Sequence, residues 1–142
     1  MRKKIPVQFH FLIPCTLPNR EGLKKFILSI FKKEKRILEE LNIVFCNDKY
    51  LLDLNRQFLQ HDFYTDILSF SLSGVNQPLI AEVYISVDRV RENAVTSRST
   101  LKEELHRVIF HGILHFCGYK DKSGVDKKKM RLLEDKYLTA YL

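Results

Sequence analysis

Apolar and polar residues alternate at period two near the start of the chain, with Ile5, Val7, Phe9, Phe11 and Ile13 on one side. This pattern predicts a half-buried strand. After Pro18-Asn19 the period changes. Leu23, Phe26, Ile27, Ile30, Phe31, Ile37, Leu38 and Leu41 largely keep helical spacing, predicting one long amphipathic helix followed by a short buried strand from Asn42 to Phe45. Asn47 is placed to cap a helix whose apolar positions Leu51, Leu54 and Phe58 fall at i, i+3 and i+7. Ile67–Phe70 and Ala81–Ile85 read as strands, joined through Ser73-Gly74-Val75-Asn76-Gln77-Pro78 into a hairpin-like pair. A shorter helix is expected over 87–97. Thr100 with Glu103 is a capping-box signature for another helix running to about Cys117, where Gly118 is the natural stop. A final amphipathic helix begins near Asp126, with Met130, Leu133, Tyr137 and Leu138 as its buried stripe. The order of elements predicts an α/β (α+β) domain with a small mixed sheet packed by about five helices.

Composition narrows the class. With 142 residues, 45% hydrophobic content, 29% charged residues, five Gly and four Pro, the chain suits one globular domain over 1–142. Met1-Arg2-Lys3-Lys4 resembles the start of a secretion signal, but Pro6, Gln8, His10 and Pro14 interrupt the apolar core such a signal needs. No run approaches the ~20 apolar residues of a membrane-spanning helix. Cys15, Cys46 and Cys117 are odd in number and set in apolar surroundings, which speaks against a disulfide framework. A cytoplasmic location, with no membrane partner, is expected.

The net charge of +7 is uneven: residues 1–36 carry ten Lys/Arg against two acidic residues, and the remainder fourteen against fifteen. Lys24, Lys25, Lys32, Lys33, Lys35 and Arg36 lie mostly off the apolar stripe of the first helix, so they can contact a phosphate backbone. A solvated, solubilising face explains the same charges equally well.

His111-Gly112-Ile113-Leu114-His115 places two imidazoles four residues apart on one helix, able to bind one metal ion from the same face. Spacing alone is a weak signal. Gly118 can adopt a left-handed cap and return Asp121 toward both imidazoles. The resulting His-x-x-x-His-x-x-Gly-x-x-Asp has the spacing of a metzincin-type zinc site, with Asp in place of its last His. Asp121 could also be a turn residue exposed between Lys120 and Lys122.

At these residues the chain resembles the YbeY-type endoribonucleases, bacterial factors in ribosomal RNA maturation. Their signature His-Gly-x-Leu-His-x-x-Gly-Tyr-Asp-His stands here as His111-Gly112-Ile113-Leu114-His115-Phe116-Cys117-Gly118-Tyr119-Lys120-Asp121. Their second signature, Pro-Thr-Asp-Val-Leu-Ser-Phe, appears as Tyr64-Thr65-Asp66-Ile67-Leu68-Ser69-Phe70. Leu54-Asn55 and Asp62 match upstream, and Glu82 with Ile85 resembles the family's Gly-Asp-Ile strand, so the likeness covers about residues 51–138 in order. Two departures fall on chemistry. The family's last His ligand is Asp121 here, and an Arg thought to act at the RNA is Leu59, with Arg56 and His61 as neighbours that no spacing argument singles out.

The resemblance implies a single-strand-specific, metal-dependent endoribonuclease acting in small-subunit rRNA 3′ end maturation and ribosome quality control. It also implies RNA, ribosomal subunits or ribosome-associated proteins as partners. The expected ligands are His111, His115 and Asp121. The expected metal is one zinc ion, with other divalent metals open because of the carboxylate. Water on the metal is expected to attack, no side chain is assigned as base, and Thr65, Asp66 and Ser69 are candidate cleft-wall residues beside the metal or ordinary strand-start caps. A metalloprotease is disfavoured, because its general-base Glu would stand at Gly112. The competing class is a non-catalytic RNA-binding factor with a structural metal, although three protein ligands suit a catalytic site better. A two-His, one-carboxylate iron oxygenase is disfavoured by the helix-dense pattern.

Overall fold

A computed structural model describes residues 4–142. The elements are β1 (Val7–Phe11), α1 (Arg20–Lys33), β2 (Leu38–Cys46), α2 (Asp48–Leu59), β3 (Ile67–Ser71), β4 (Leu79–Ser86), α3 (Val87–Ser97), α4 (Leu101–Phe116) and α5 (Gly124–Tyr141). The strands form one mixed sheet in the order β1-β2-β4-β3. β1, β2 and β4 run parallel, while β3 pairs antiparallel with β4 at the edge, Leu68 opposite Tyr84. The expected mixed sheet with five helices is therefore present, and the hairpin-like pair is β3–β4.

Alternation along the strands divides the core. Leu41, Ile43 and Phe45 of β2 and Ala81, Val83 and Ile85 of β4 join the main core with Leu23, Ile27 and Phe31 of α1 and Leu105, Ile109, Phe110 and Ile113 of α4. On the opposite sheet face Cys46 and Leu68 form a small cluster with Leu51 of α2. Full burial of an aliphatic or aromatic side chain contributes about 1.5–3 kcal/mol, so α4, which buries Leu105, Val108, Ile109, Phe110, Ile113 and Leu114, is firmly anchored in the core. In α2 the buried positions are Leu51, Leu52 and Asn55, while Phe58 of the predicted stripe is exposed.

The first helix differs from expectation. It ends at Lys33, and Leu38 and Leu41 belong to β2, which is nine residues long. The stop is a two-bond C-terminal cap without glycine: Lys35 takes a left-handed conformation (φ 58°), its N–H donates to the Lys32 carbonyl, and the Arg36 N–H donates to that of Phe31. Tertiary pairing of Leu41 with Val7 and Ala81 then overrides the helical spacing. No helix among the described residues is long and apolar enough to cross a membrane. Cys15, Cys46 and Cys117 are free thiols.

Candidate metal centre

The site is built on the C-terminal half of α4 and the turn that follows. Thr100 Oγ1 accepts from the Glu103 N–H and opens the helix, as the capping signature predicts. Gly112 faces the sheet. A Cβ there would come within 2.8 Å of Ile67 Cδ1, so glycine lets α4 lie close against β3 and β4. With Gly112 turned inward, His111 and His115 are left on the outward edge, one turn apart.

The helix ends in a Schellman cap. Gly118 adopts φ 101°, its N–H donates to the His115 carbonyl, and the Tyr119 N–H reaches back to Leu114 O. This reversal returns Asp121 to the imidazoles. His111 Nε2 and His115 Nε2 are 3.0 Å apart, and Asp121 Oδ2 lies 3.3 Å from the first and 3.4 Å from the second. Tetrahedral ligands at ~2.0–2.1 Å from a metal stand ~3.3 Å from one another, so the triangle has the right size.

The ring protons are assigned by their partners. His111 Nδ1 donates to Glu134 Oε2 at 2.6 Å, and His115 Nδ1 donates to the Tyr119 carbonyl at 2.9 Å. Both Nε2 lone pairs are thereby aimed at one point and at a carboxylate oxygen. Two such lone pairs at 3.0 Å favour a cation between them, and nitrogen, nitrogen and oxygen donors suit a divalent ion. The three side chains keep 23%, 33% and 41% of their surface exposed, leaving one side open for a further ligand.

Glu134 was not among the sequence candidates. It is 5% exposed and occupies the buried stripe of α5 with Met130, Tyr137 and Leu138, whereas Leu133 lies only partly buried. Its second oxygen accepts from Arg107 Nη1 at 3.2 Å, and Arg107 Nη2 donates to Asp135 at 2.8 Å. A carboxylate in helical register with an apolar stripe was the available signal. Burial alone would lower the His111 pKa, but the hydrogen bond and charge of Glu134, with Asp121 and Asp66, outweigh it and leave a net rise.

The other candidates fall in two groups. Asp66 lies close enough to His111 to feel its charge; burial pushes its carboxyl upward, and Asn93 Nδ2 donates to it at 3.3 Å. Ser69 Oγ lies 3.7 Å from where a Gly112 Cβ would stand, while Thr65 Oγ1 donates to the Ile67 carbonyl at 3.3 Å as a local turn contact. Of the cations expected on the first helix, Lys25, Lys32 and Lys33 are exposed on α1, while Lys35 is exposed in the turn after its end. Lys24 pairs with Glu21 and lies over the Phe9 ring, and Arg36 donates to the Gln77 carbonyl. Leu59 is partly exposed at the end of α2; beside it Arg56 is engaged by Asp62 and Asp53, and His61 stacks on Phe63.

The family model described as Endoribonuclease YbeY matches residues 17–142. The chain belongs to the YbeY family. A relative from Cytophaga hutchinsonii named Endoribonuclease YbeY is 48% identical over 123 residues, covering 87% of this chain and 86% of the relative. One of the same name from Flavobacterium psychrophilum is 39% identical over 135 residues, covering 95% and 96%. A solution structure from Thermotoga maritima superposes with a TM-score of 0.62 at 29% identity, covering 92% of this chain and 87% of that one. The YbeY signature at His111, His115 and Gly118 thus coincides with the only three-residue donor cluster of its kind among the described residues.

Proposed function

We propose that residues 1–142 act as one YbeY-type domain, a metal-dependent endoribonuclease that hydrolyses single-stranded RNA. The observation that carries this reading is the convergence of His111 Nε2, His115 Nε2 and Asp121 Oδ2 on one point with an open side. Zinc is the ion we assign, held by those three atoms. When bound, it supplies Lewis-acid polarisation of a phosphoryl oxygen and makes water a better nucleophile at neutral pH.

The chain's own residues do the rest. Glu134 and the Tyr119 carbonyl fix the two imidazoles in the ligating tautomer. Asp121 contributes a full negative charge, which favours binding a divalent ion but tempers its acidity relative to three neutral imidazoles. Thr65, Asp66 and Ser69 are the residues we assign to the wall beside the metal, and no side chain is assigned as general base. Lys25, Lys32, Lys33 and Lys35 offer sequence-independent phosphate contacts, with Lys24 and Arg36 flanking them. The position of a peptidase's general-base Glu is held by Gly112, which packs on Ile67 and Val83 and has no side chain to act as base, so peptide hydrolysis is not supported.

Ribosomal RNA is the substrate we assign, with small-subunit rRNA 3′ end maturation and ribosome quality control as the roles, ribosomal subunits as partners and the cytoplasm as the location. The relatives' printed name supports RNA cleavage. Leu59, where the family signature has Arg, favours one second reading, a non-catalytic RNA-binding factor with a structural metal. Metal analysis beside cleavage of a single-stranded RNA oligonucleotide by wild type and His115→Ala separates the two. Metal-dependent cleavage lost in the variant supports the enzyme, and RNA binding without cleavage by the metal-loaded wild type overturns it.

A further inference from the structure

The turn that delivers Asp121 is tied to the far end of α1. Tyr119 and Tyr137 both donate from their hydroxyls to Glu34, one to each carboxylate oxygen, at 2.7 Å. Around this clamp stand three exposed lysines. Lys129 Nζ lies 5.3 Å from the Tyr119 ring centroid, and Lys136 and Lys33 approach the Tyr137 ring at 5.5 and 5.9 Å. Lys129 and Lys136 are seven residues apart, two turns along one face of α5. Lys120 joins Lys129 in lining a hollow of about 140 Å³ with Gly118, Tyr119 and the carboxylate of Asp126.

Lys24, Arg89 and Arg107 are held in ion pairs by Glu21, Asp48 and Asp135. Among the described residues none of Lys33, Lys129 and Lys136 forms such an ion pair. The negative charges facing them are Glu34, whose oxygens both accept from tyrosine, and Asp126. Because each ammonium lies over an aromatic ring, it is restrained before any anion arrives, which lowers the ordering cost of binding. The same Tyr119 whose carbonyl holds His115 lies beneath the first of these lysines, so the basic face begins on the turn that also delivers Asp121.

We infer that the phosphate backbone of a single-stranded RNA runs from the metal centre across Tyr119 and Tyr137 to the C-terminal end of α1, contacted by Lys129, Lys136 and Lys33. This track rests on the RNA-hydrolase reading and extends it. It moves the principal electrostatic contacts from the length of α1 to the seam between α1 and α5. The contacts are to phosphates, so they carry no base preference. Lys33 also stabilises the C-terminal end of α1 on its own, which makes the two α5 lysines the sharper probes.

The test is the salt dependence of binding by the metal-loaded full chain to a single-stranded RNA 12-mer, read by stopped-flow mixing before cleavage sets in. Single-strand binding scales with salt at a slope of about −0.7 per neutralised phosphate. Lys33→Gln/Lys129→Gln/Lys136→Gln is expected to flatten the slope by about 2, and Lys129→Gln/Lys136→Gln by about 1.4, with unchanged circular dichroism. Neutralising two exposed lysines elsewhere, Lys49→Gln/Lys102→Gln, is expected to leave it in place. A triple variant with the wild-type slope, in a protein whose wild type still binds and cleaves RNA, overturns the track alone. A wild type that neither binds nor cleaves RNA overturns the track and the hydrolase reading together.

Discussion

Glu134 Oε2 lies 2.6 Å from His111 Nδ1, so a carboxylate 23 residues downstream fixes the tautomer of an imidazole on another helix. Glu134→Gln keeps an acceptor for that ring proton but removes its charge. Loss of such a support lowers metal affinity about 10–100-fold, and the glutamine is expected near the lower end. Competition with a chromophoric chelator measures it. Affinity equal to wild type would remove Glu134 from the metal centre. Glu134→Ala is the poorer probe, because it also strips Arg107, 11% exposed, of its buried partner.

Asp121 completes the donor triangle from an exposed turn, and Asp121→Ala removes a ligand without touching the core. Metal affinity is expected to fall sharply and RNA cleavage to vanish, while urea unfolding of the metal-free protein stays where it was. Asp121→His restores a third imidazole and is expected to retain metal. If Asp121→Ala holds metal as tightly as wild type, the third donor lies elsewhere.

The fit of α4 on the sheet depends on a missing methyl. Gly112→Ala would place its Cβ 2.8 Å from Ile67 Cδ1, and overpacking of this kind costs on the order of 1 kcal/mol where the neighbour is a side-chain tip. Ile67→Val deletes that tip. The double variant Gly112→Ala/Ile67→Val is therefore expected to be more stable in urea than the two single losses added together. Strict additivity would show that the two positions do not meet.

His106 is fully buried between Phe110 and Tyr141. Its Nδ1 donates to the Lys102 carbonyl, and its Nε2 has no partner. Burial lowers its pKa below the usual 6.5. The unfolded chain thus binds the proton more readily than the folded one. Its contribution is intact above the unfolded value and declines as pH falls through 6.5 toward the lowered folded value. His106→Phe removes both the titration and the unpaired nitrogen. It is expected to be near neutral at pH 8 and relatively more stable than wild type at pH 5.5, by thermal unfolding at both pH values.

What could be read from the sequence depended on how local its cause was. The three donors that the structure brings together fall within 11 residues, and the glycine that turns the chain lies between them, so spacing and turn chemistry sufficed to place His111, His115 and Asp121 side by side. The α3 helix and the Thr100 cap were local too. The end of α1 was not, because Lys35 takes the left-handed cap without being glycine and Leu38 and Leu41 continue a helical spacing that sheet pairing overrules. Glu134 was hidden for a related reason: a charged residue in an apolar stripe makes sense only once Arg107 and His111, on another helix, are beside it.

The two imidazoles are secured by different kinds of partner. His111 answers to a side chain at position 134, and a single codon change there can withdraw its support. His115 answers to the main-chain carbonyl of residue 119, an atom every amino acid possesses. As sequences diverge, then, the orientation of His115 is inherited with the backbone turn itself, whereas that of His111 must be kept by selection on one distant residue. Drift at Tyr119 can erode the lysine-lined seam while leaving His115 in place, but drift at Glu134 reaches the imidazole of His111 directly.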